Sequence, residues 1–129
     1  MHELSIAMSI VDIAETQVRE NGASHVEQID LEIGTLAGIE MESLNFAWPM
    51  AVKGTVLEHA RRVIHTVQAR AICPDCQTEF EAESLFTECP TCANFMTSLL
   101  QGQELRVKSL TLIQPEDKIP IAQPPPSLI

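Results

Sequence analysis

Residues 73–92 read CPDCQTEFEAESLFTECPTC, two Cys-Pro-x-Cys turns separated by 12 residues. Each turn offers two thiolates within a short span, and the stretch between them is long enough for a hairpin-like loop that brings both pairs to one point. Four soft sulfurs in tetrahedral reach select zinc. Pro74 and Pro90 fix φ just after the first ligand of each pair and so pre-set the turns. Phe80, Phe86 and Phe95 are expected to supply a small apolar cluster beside the metal. The pattern is that of a zinc ribbon on Cys73, Cys76, Cys89 and Cys92. With every coordination position taken by a thiolate, none is left for water, which disfavours zinc hydrolysis.

Outward from the cysteines, Val63 to Val67 and Leu105 to Ile113 read as strands apolar enough to pair in one sheet. The ribbon is therefore an excursion from a small α/β core. In the last strand the alternation changes phase between Val107 and Leu110, which suggests a bulge. The first segment places Leu4, Ala7, Val11, Ala14 and Val18 in one apolar row and Ile6, Ile10 and Ile13 in a second, an amphipathic helix ending near Asn21-Gly22. From Val26 to Ile33 apolar and polar residues alternate as in a half-buried strand that Gly34 closes. A second helix begins near Met41, with Leu44, Ala47, Trp48 and Ala51 on one side, and Pro49 is expected to kink or shorten it.

The fold class that follows is α+β: a small three-stranded sheet with two helices, plus an inserted zinc-ribbon subdomain. Residues 1–68 and 103–113 are assigned to the α/β part, 69–102 to the ribbon, and 114–129 to a Pro-rich, disordered tail with no fold of its own.

A chain of 129 residues suits one domain able to bury roughly two thirds of its unfolded surface. No run approaches the roughly 18 apolar residues of a membrane span. The start, Met1-His2-Glu3, lacks the basic and apolar regions of a secretory signal, so the mature chain is expected to begin there, in the cytoplasm, where reduced cysteines favour metal over disulfides. Eight Lys and Arg stand against 18 Asp and Glu, a formal charge of −10 that repels a phosphate backbone and argues against nucleic acid as a partner.

His2 carries a second chemical signal. A histidine in that position lines up the α-amine, its own backbone nitrogen and its imidazole as three in-plane donors, closing a five-membered and then a six-membered chelate ring. Displacing an amide proton requires a metal that gains much from a planar field, which points to Ni(II) or Cu(II) and away from tetrahedral Zn(II). A fourth donor is available from Glu3, through its backbone nitrogen or carboxylate, or from a side chain elsewhere. The amine, imidazole and amide all compete with protons, so uptake is expected to weaken as pH falls.

The opening Met1-His2-Glu3-Leu4-Ser5, the strand end Ile33-Gly34, the two cysteine pairs and Gly102-Gln103-Glu104-Leu105-Arg106-Val107 together resemble the HypA/HybF hydrogenase nickel incorporation proteins, in the family's order over roughly residues 1 to 113. The resemblance implies a nickel-binding α/β part with three strands and two helices, and an inserted zinc ribbon. It implies that Met1, His2 and Glu3 form the nickel site, with Glu40 at a matching acidic position, and that the four cysteines hold structural zinc. It further implies delivery of Ni(II), with a partner GTPase, to the large subunit of [NiFe] hydrogenase. The chain is expected to be a monomer or weak homodimer, and its charge and hydropathy argue against nucleic acid and membrane as partners.

His25, His59 and His65 are read as solvated or hydrogen-bonded strand residues, Met8, Met41, Met50 and Met96 as packing residues, and Trp48 as core. Asp12, Glu15 and Glu20 fall on the polar side of the first helix. The chain shows no Ser-His-Asp order and no phosphate-cradling Gly-rich loop, so a metal-delivery protein is preferred to an enzyme. The alternatives are a zinc-ribbon protein-protein adaptor, for which His2 is incidental, and a thiol-redox protein.

Overall fold

The structure, a computed structural model, describes residues 2–115. Within them the order is α1 (Glu3–Glu20), β1 (His25–Gly34), α2 (Met41–Val52), β2 (Arg61–Val67), β3 (Arg70–Ile72), β4 (Glu79–Glu81), β5 (Ser98–Gln101) and β6 (Leu105–Ile113). The strands form two three-stranded sheets, β2-β1-β6 and β4-β3-β5. This is the α+β arrangement expected from the sequence, with two helices, one sheet drawn from distant strands and a second small sheet built between β2 and β6. By contacts the described residues separate into two compact units, one of 2–30, Glu40–Val63 and 109–115, the other of Leu31–Ile39 and Ile64–Lys108. Residues 114 and 115 have no regular structure, and the rest of the proline-rich tail lies outside the described residues.

In the first unit α1 buries Ala7, Ile10, Val11, Ala14 and Val18 and packs on α2, which buries Leu44, Ala47 and Val52. The buried stripe is narrower than the sequence suggested, because Leu4 and Ile13 at its two margins stay largely exposed. Each large aliphatic removed from water adds roughly 1.5–3 kcal/mol. α1 stops where the sequence predicts: the Asn21 side chain donates to the Gln17 carbonyl at 2.8 Å, and Gly22 takes φ +63°, which only glycine adopts without a Cβ penalty.

Pro49 lies inside α2, which runs on past it to Val52; having no N–H, it leaves the Asn45 carbonyl without its intrahelical donor, one lost bond near the end of the helix. Two expectations are corrected here. Trp48 is half-buried, with the Arg62 guanidinium 5.1 Å above its ring and the same Arg62 donating to Asn45, so its indole face holds a cation as well as packing. Met8, Met50 and Met96 are exposed, since the helix and loop faces carrying them have nothing packed on them among the described residues.

The second unit contains β3 as the centre of its small sheet, paired antiparallel with β4 through Ala71↔Phe80 and with β5 through Ala71↔Leu99. Its core consists of Ala69, Ala71, Cys73, Phe80, Ala82 and Cys89, with Leu36 and Leu99 packed against it. Three alanines and one phenylalanine bury too little apolar area to hold three short strands, so this part needs a cross-link to fold. Two glycines set its geometry. A Cβ on Gly34 would lie 2.0 Å from the Gly102 carbonyl oxygen, and one on Gly102 would lie 2.4 Å from the Ala69 Cβ. In place of those side chains the backbones bond directly, Leu36 N–H to Gly102 O at 2.7 Å and Gly34 N–H to Glu104 O at 2.8 Å.

Candidate metal centres

Each Cys-Pro-x-Cys run folds into the same knuckle. In the first, the Gln77 N–H donates to the Cys73 carbonyl at 2.8 Å and the Cys73 N–H to the Thr78 carbonyl at 3.0 Å; in the second, Ala93 donates to Cys89 at 2.7 Å and Cys89 to Asn94 at 2.9 Å. The proline after the first cysteine has no donor to waste in so tight a turn. The chain can close only if the residue after the second cysteine turns left-handed, and Gln77 (φ 61°) and Ala93 (φ 63°) both do. Neither is glycine, so sequence reasoning passed over them; each stores roughly 1–2 kcal/mol of backbone strain.

The two knuckles bring the four sulfurs within 4.8 Å of one another. The Cys73 and Cys92 sulfurs are 3.6 Å apart, and those of Cys76 and Cys89 are 3.5 Å apart. A tetrahedron of Zn–S bonds near ~2.3 Å has edges of about 3.8 Å. The donor set and its spacing therefore fit zinc. Cys73 and Cys89 are buried, Cys76 and Cys92 exposed. Further groups orient the sulfurs: the Thr78 hydroxyl lies 3.1 Å from Cys76 Sγ, the Thr91 N–H donates to Cys89 Sγ at 3.4 Å, and Asn94 reaches the Cys73 sulfur while donating to Asp75 at 2.8 Å. The thiols of the second pair differ in acidity. Burial raises the Cys89 thiol, but the N–H groups of Cys92 and Thr91 and the neighbouring thiols outweigh it and leave its pKa below the usual cysteine value. For Cys92, an N–H from Asn94 favours the thiolate, yet the Cys73 thiol and burial oppose it and push the pKa up to about 12.

The expected apolar cluster beside the sulfurs is only partly formed. Phe80 is buried, whereas Phe86 and Phe95 point to solvent. The loops that carry them have no periodicity from which burial could be read.

At the other candidate centre, His2 is the N-cap of α1, its carbonyl accepting the Ile6 N–H at 2.9 Å, while its side chain is 64% exposed. An N-cap N–H belongs to no intrahelical bond, so the helix does not claim the His2 amide. Glu3 is the buried carboxylate of this unit. Its Oε2 accepts the Glu40 N–H at 3.0 Å, and its Oε1 stands 3.9 Å from His2 Nδ1. The Glu40 N–H, chiefly, holds the Glu3 carboxyl below the ordinary carboxylate range against the opposing effect of burial. Because Glu40 is the N-cap of α2 and has no side-chain cap of its own, Glu3 caps that helix from 37 residues away and ties the start of α1 to the start of α2. No sequence signal marks a contact of that separation. Met1 lies outside the described residues.

The structure does not gather the other histidines with His2 into a donor group: among the described residues the four cysteines are the group of three or more ligating side chains close enough to hold one ion. His25 pairs with the Ser24 hydroxyl at 3.0 Å, and His59 is highly exposed beside Glu58. Glu15, read as part of a solvated face, instead accepts the Val56 N–H at 3.1 Å.

A family model described as hydrogenase/urease nickel incorporation, metallochaperone, HypA matches residues 1–112. A hydrogenase maturation factor HypA from Parabacteroides distasonis is 47% identical over 112 residues, covering 87% of this chain and 97% of that one. Another from Geotalea daltonii is 40% identical over 113 residues, covering 88% and 100%. The solution structure of the Ni metallochaperone HypA from Helicobacter pylori superposes with a TM-score of 0.63 at 23% identity, covering 89% of this chain and 100% of that one, a likeness of fold. Among the described residues no helix is long and apolar enough to cross a membrane.

Proposed function

Since the chain belongs to the HypA family of hydrogenase/urease nickel incorporation metallochaperones, we propose that it binds Ni(II) through Met1, His2 and Glu3 and hands it on, with a partner GTPase, to the large subunit of [NiFe] hydrogenase in the cytosol. The observation that supports this reading best is the position of His2: an N-cap whose own N–H lies outside the hydrogen-bond ladder of α1, its ring in solvent. The Met1 amine, the His2 amide nitrogen and the His2 imidazole then present three nitrogens to the ion in one plane. A helix N-terminus repels a cation. Loss of the amide proton and the adjacent Glu3 carboxylate offset that repulsion, and Glu3 does so from a fixed place because Glu40 holds it. An exposed strip of donors at a chain end takes up an ion and releases it without opening the fold, which suits cargo. Glu3 completes the site by its backbone nitrogen or carboxylate.

Cys73, Cys76, Cys89 and Cys92 would hold zinc, which supplies a cross-link and no open coordination position. We assign the ribbon to residues 69–102 and the nickel part to 1–68 and 103–113. Nothing in this arrangement calls for a chemical step on a substrate; the work is binding and transfer.

Ni(II) titration followed by visible absorption, on the untagged protein and on a version with one extra residue before Met1, tests the proposal. The untagged chain should give a planar, nitrogen-rich spectrum, and the extended chain should lose it. An unchanged spectrum in the extended chain, or sulfur-to-nickel charge-transfer bands, would overturn it. Raising the proton concentration should weaken uptake in the untagged chain, because all three nitrogens must lose or forgo a proton to bind.

A further inference from the structure

The ribbon turns large apolar side chains outward. Phe86 is 79% exposed, Met96 77%, Phe95 65% and Leu85 54%. They sit on two loops that flank the second knuckle, and the loops are tied together by the Thr97 hydroxyl donating to the Thr87 carbonyl at 3.1 Å. The first loop is not slack. The Thr87 hydroxyl oxygen accepts the N–H groups of Glu83 at 3.1 Å and Ser84 at 2.9 Å and donates to the Ser84 carbonyl at 3.1 Å. The Ser84 hydroxyl accepts the Phe86 N–H at 3.2 Å. A turn whose backbone donors are met by its own hydroxyls holds Leu85 and Phe86 outward in one conformation. On the second loop the Met96 N–H donates to Asn94 Oδ1 at 2.9 Å, and Asn94 is itself anchored on Asp75.

Two features say what would cover this tip. Exposed apolar side chains of this size, pre-ordered so that little entropy is lost on contact, mark a protein interaction surface. The ribbon's exposed charge has one sign: Asp75, Glu79, Glu81, Glu83 and Glu88 are exposed, with Glu83 and Glu88 flanking Leu85 and Phe86 in sequence, against the single cation Arg70 between residues 70 and 101. A second copy would bring the same acidic rim against this one, and anionic lipid would be repelled in the same way. We propose that the ribbon tip docks a partner protein that presents an apolar pocket rimmed by lysine and arginine side chains. Phe86 and Met96 are the anchors, and the carboxylates select and steer the partner.

The test uses the full, zinc-loaded chain with a benzophenone amino acid at Phe86 or at Met96, and at His59 as an exposed control, irradiated in extract of the source cells. Both tip positions should give the same adduct with another protein, cross-linked near lysine or arginine, and the control should not. The adduct should fall at least about tenfold with Glu83→Lys plus Glu88→Lys, and fall likewise for the unsubstituted chain as salt rises from about 0.05 to 0.3 M. An adduct of the chain with itself, an adduct with lipid, one indifferent to both salt and charge reversal, or none beyond the control would overturn the proposal. The salt series keeps the test decisive if the lysine variant loses its zinc. The proposed nickel donors, Met1, His2 and Glu3, are not ribbon residues, so Phe86→Ser with Met96→Ser should leave the nickel titration unchanged, and a failed nickel titration would leave the cross-link standing.

Discussion

The ribbon and the chain start hold their donors in opposite ways. In the ribbon two knuckles of identical hydrogen bonding bring four sulfurs within 4.8 Å of one another, two of them buried, and Thr78, Thr91 and Asn94 orient those sulfurs from outside. At the chain start the Glu3 carboxylate is held by Glu40, while the His2 ring stands in solvent. A closed set of four identical soft donors binds strongly and exchanges slowly, because every ligand must move before the ion can leave. An open strip at a helix start loses its ion when one donor is protonated or displaced. Under the proposed function one metal is structure and the other cargo, which calls for both designs, built from different donor chemistry so that the two ions do not compete.

The largest effect follows from breaking the closed side of this comparison. The ribbon core of Ala69, Ala71, Phe80 and Ala82 is too thin to stand alone, and structural zinc of this type contributes roughly 10–16 kcal/mol at neutral pH. Cys73→Ser, or stripping the metal with a strong chelator, should therefore abolish amide-exchange protection across residues 70–101. Protection within α1 should survive, since its buried face rests on α2. Retained protection in the ribbon after complete zinc removal would show that its packing is self-sufficient.

Breaking the open side should be quieter for the fold and severe for the cargo. His2→Ala removes one nitrogen from the proposed chelate and, the ring being 64% exposed, costs the fold little beyond its 3.9 Å approach to Glu3. Loss of an outer-shell partner costs about 10–100-fold in affinity, and loss of this direct donor should exceed about 100-fold for Ni(II). Zinc content and thermal midpoint should stay at the wild-type values. Equal nickel affinity in the variant would place the cargo elsewhere.

How much of this contrast could be read from the sequence depended on how local its cause was. The Cys-Pro-x-Cys spacing is local, and so is the cap at Asn21-Gly22; both read correctly, as did strand β6 from Leu105 to Ile113 with its phase change at Val107 and Leu110. The tie between Glu3 and Glu40 spans 37 residues and leaves no pattern. The outward Phe86 and Phe95 defeated a rule that expects phenylalanine inside, because a loop has no period to say which way it faces. Gly34 was visible as a strand end, but its reason, the Gly102 carbonyl where a side chain would go, is tertiary.

That close approach gives the next prediction. Gly34→Ala places a Cβ 2.0 Å from a backbone oxygen that cannot swing aside, and the Leu36 N–H to Gly102 O bond at 2.7 Å fixes the same spot. Overpacking costs typically about 1–3 kcal/mol, and a backbone obstacle puts this case toward the upper end. The urea midpoint should drop accordingly at full zinc occupancy. A midpoint within error of wild type would mean that the two strands part easily there, and the ribbon would be less firmly built than its hydrogen bonds indicate.

The smallest effect runs in the opposite direction and probes what the knuckles store. Ala93 holds φ 63° with no side-chain bond to justify it. Relieving a left-handed alanine returns about 1–2 kcal/mol, and the extra freedom of glycine in the unfolded chain takes back roughly 0.5–1 kcal/mol. Ala93→Gly should thus stabilise the zinc-loaded ribbon by about 0.5 kcal/mol, read as slower metal loss to a competing chelator. Gln77 occupies the same position of the first knuckle at φ 61°, but its side-chain amide donates to the Pro74 carbonyl at 3.0 Å, a bond worth about as much as the gain. Gln77→Gly should be close to neutral. If both glycines gained equally, the Gln77 side chain would be idle; if neither did, the left-handed turn would be imposed by the sulfurs converging on their ion, with no strain left in the backbone to release.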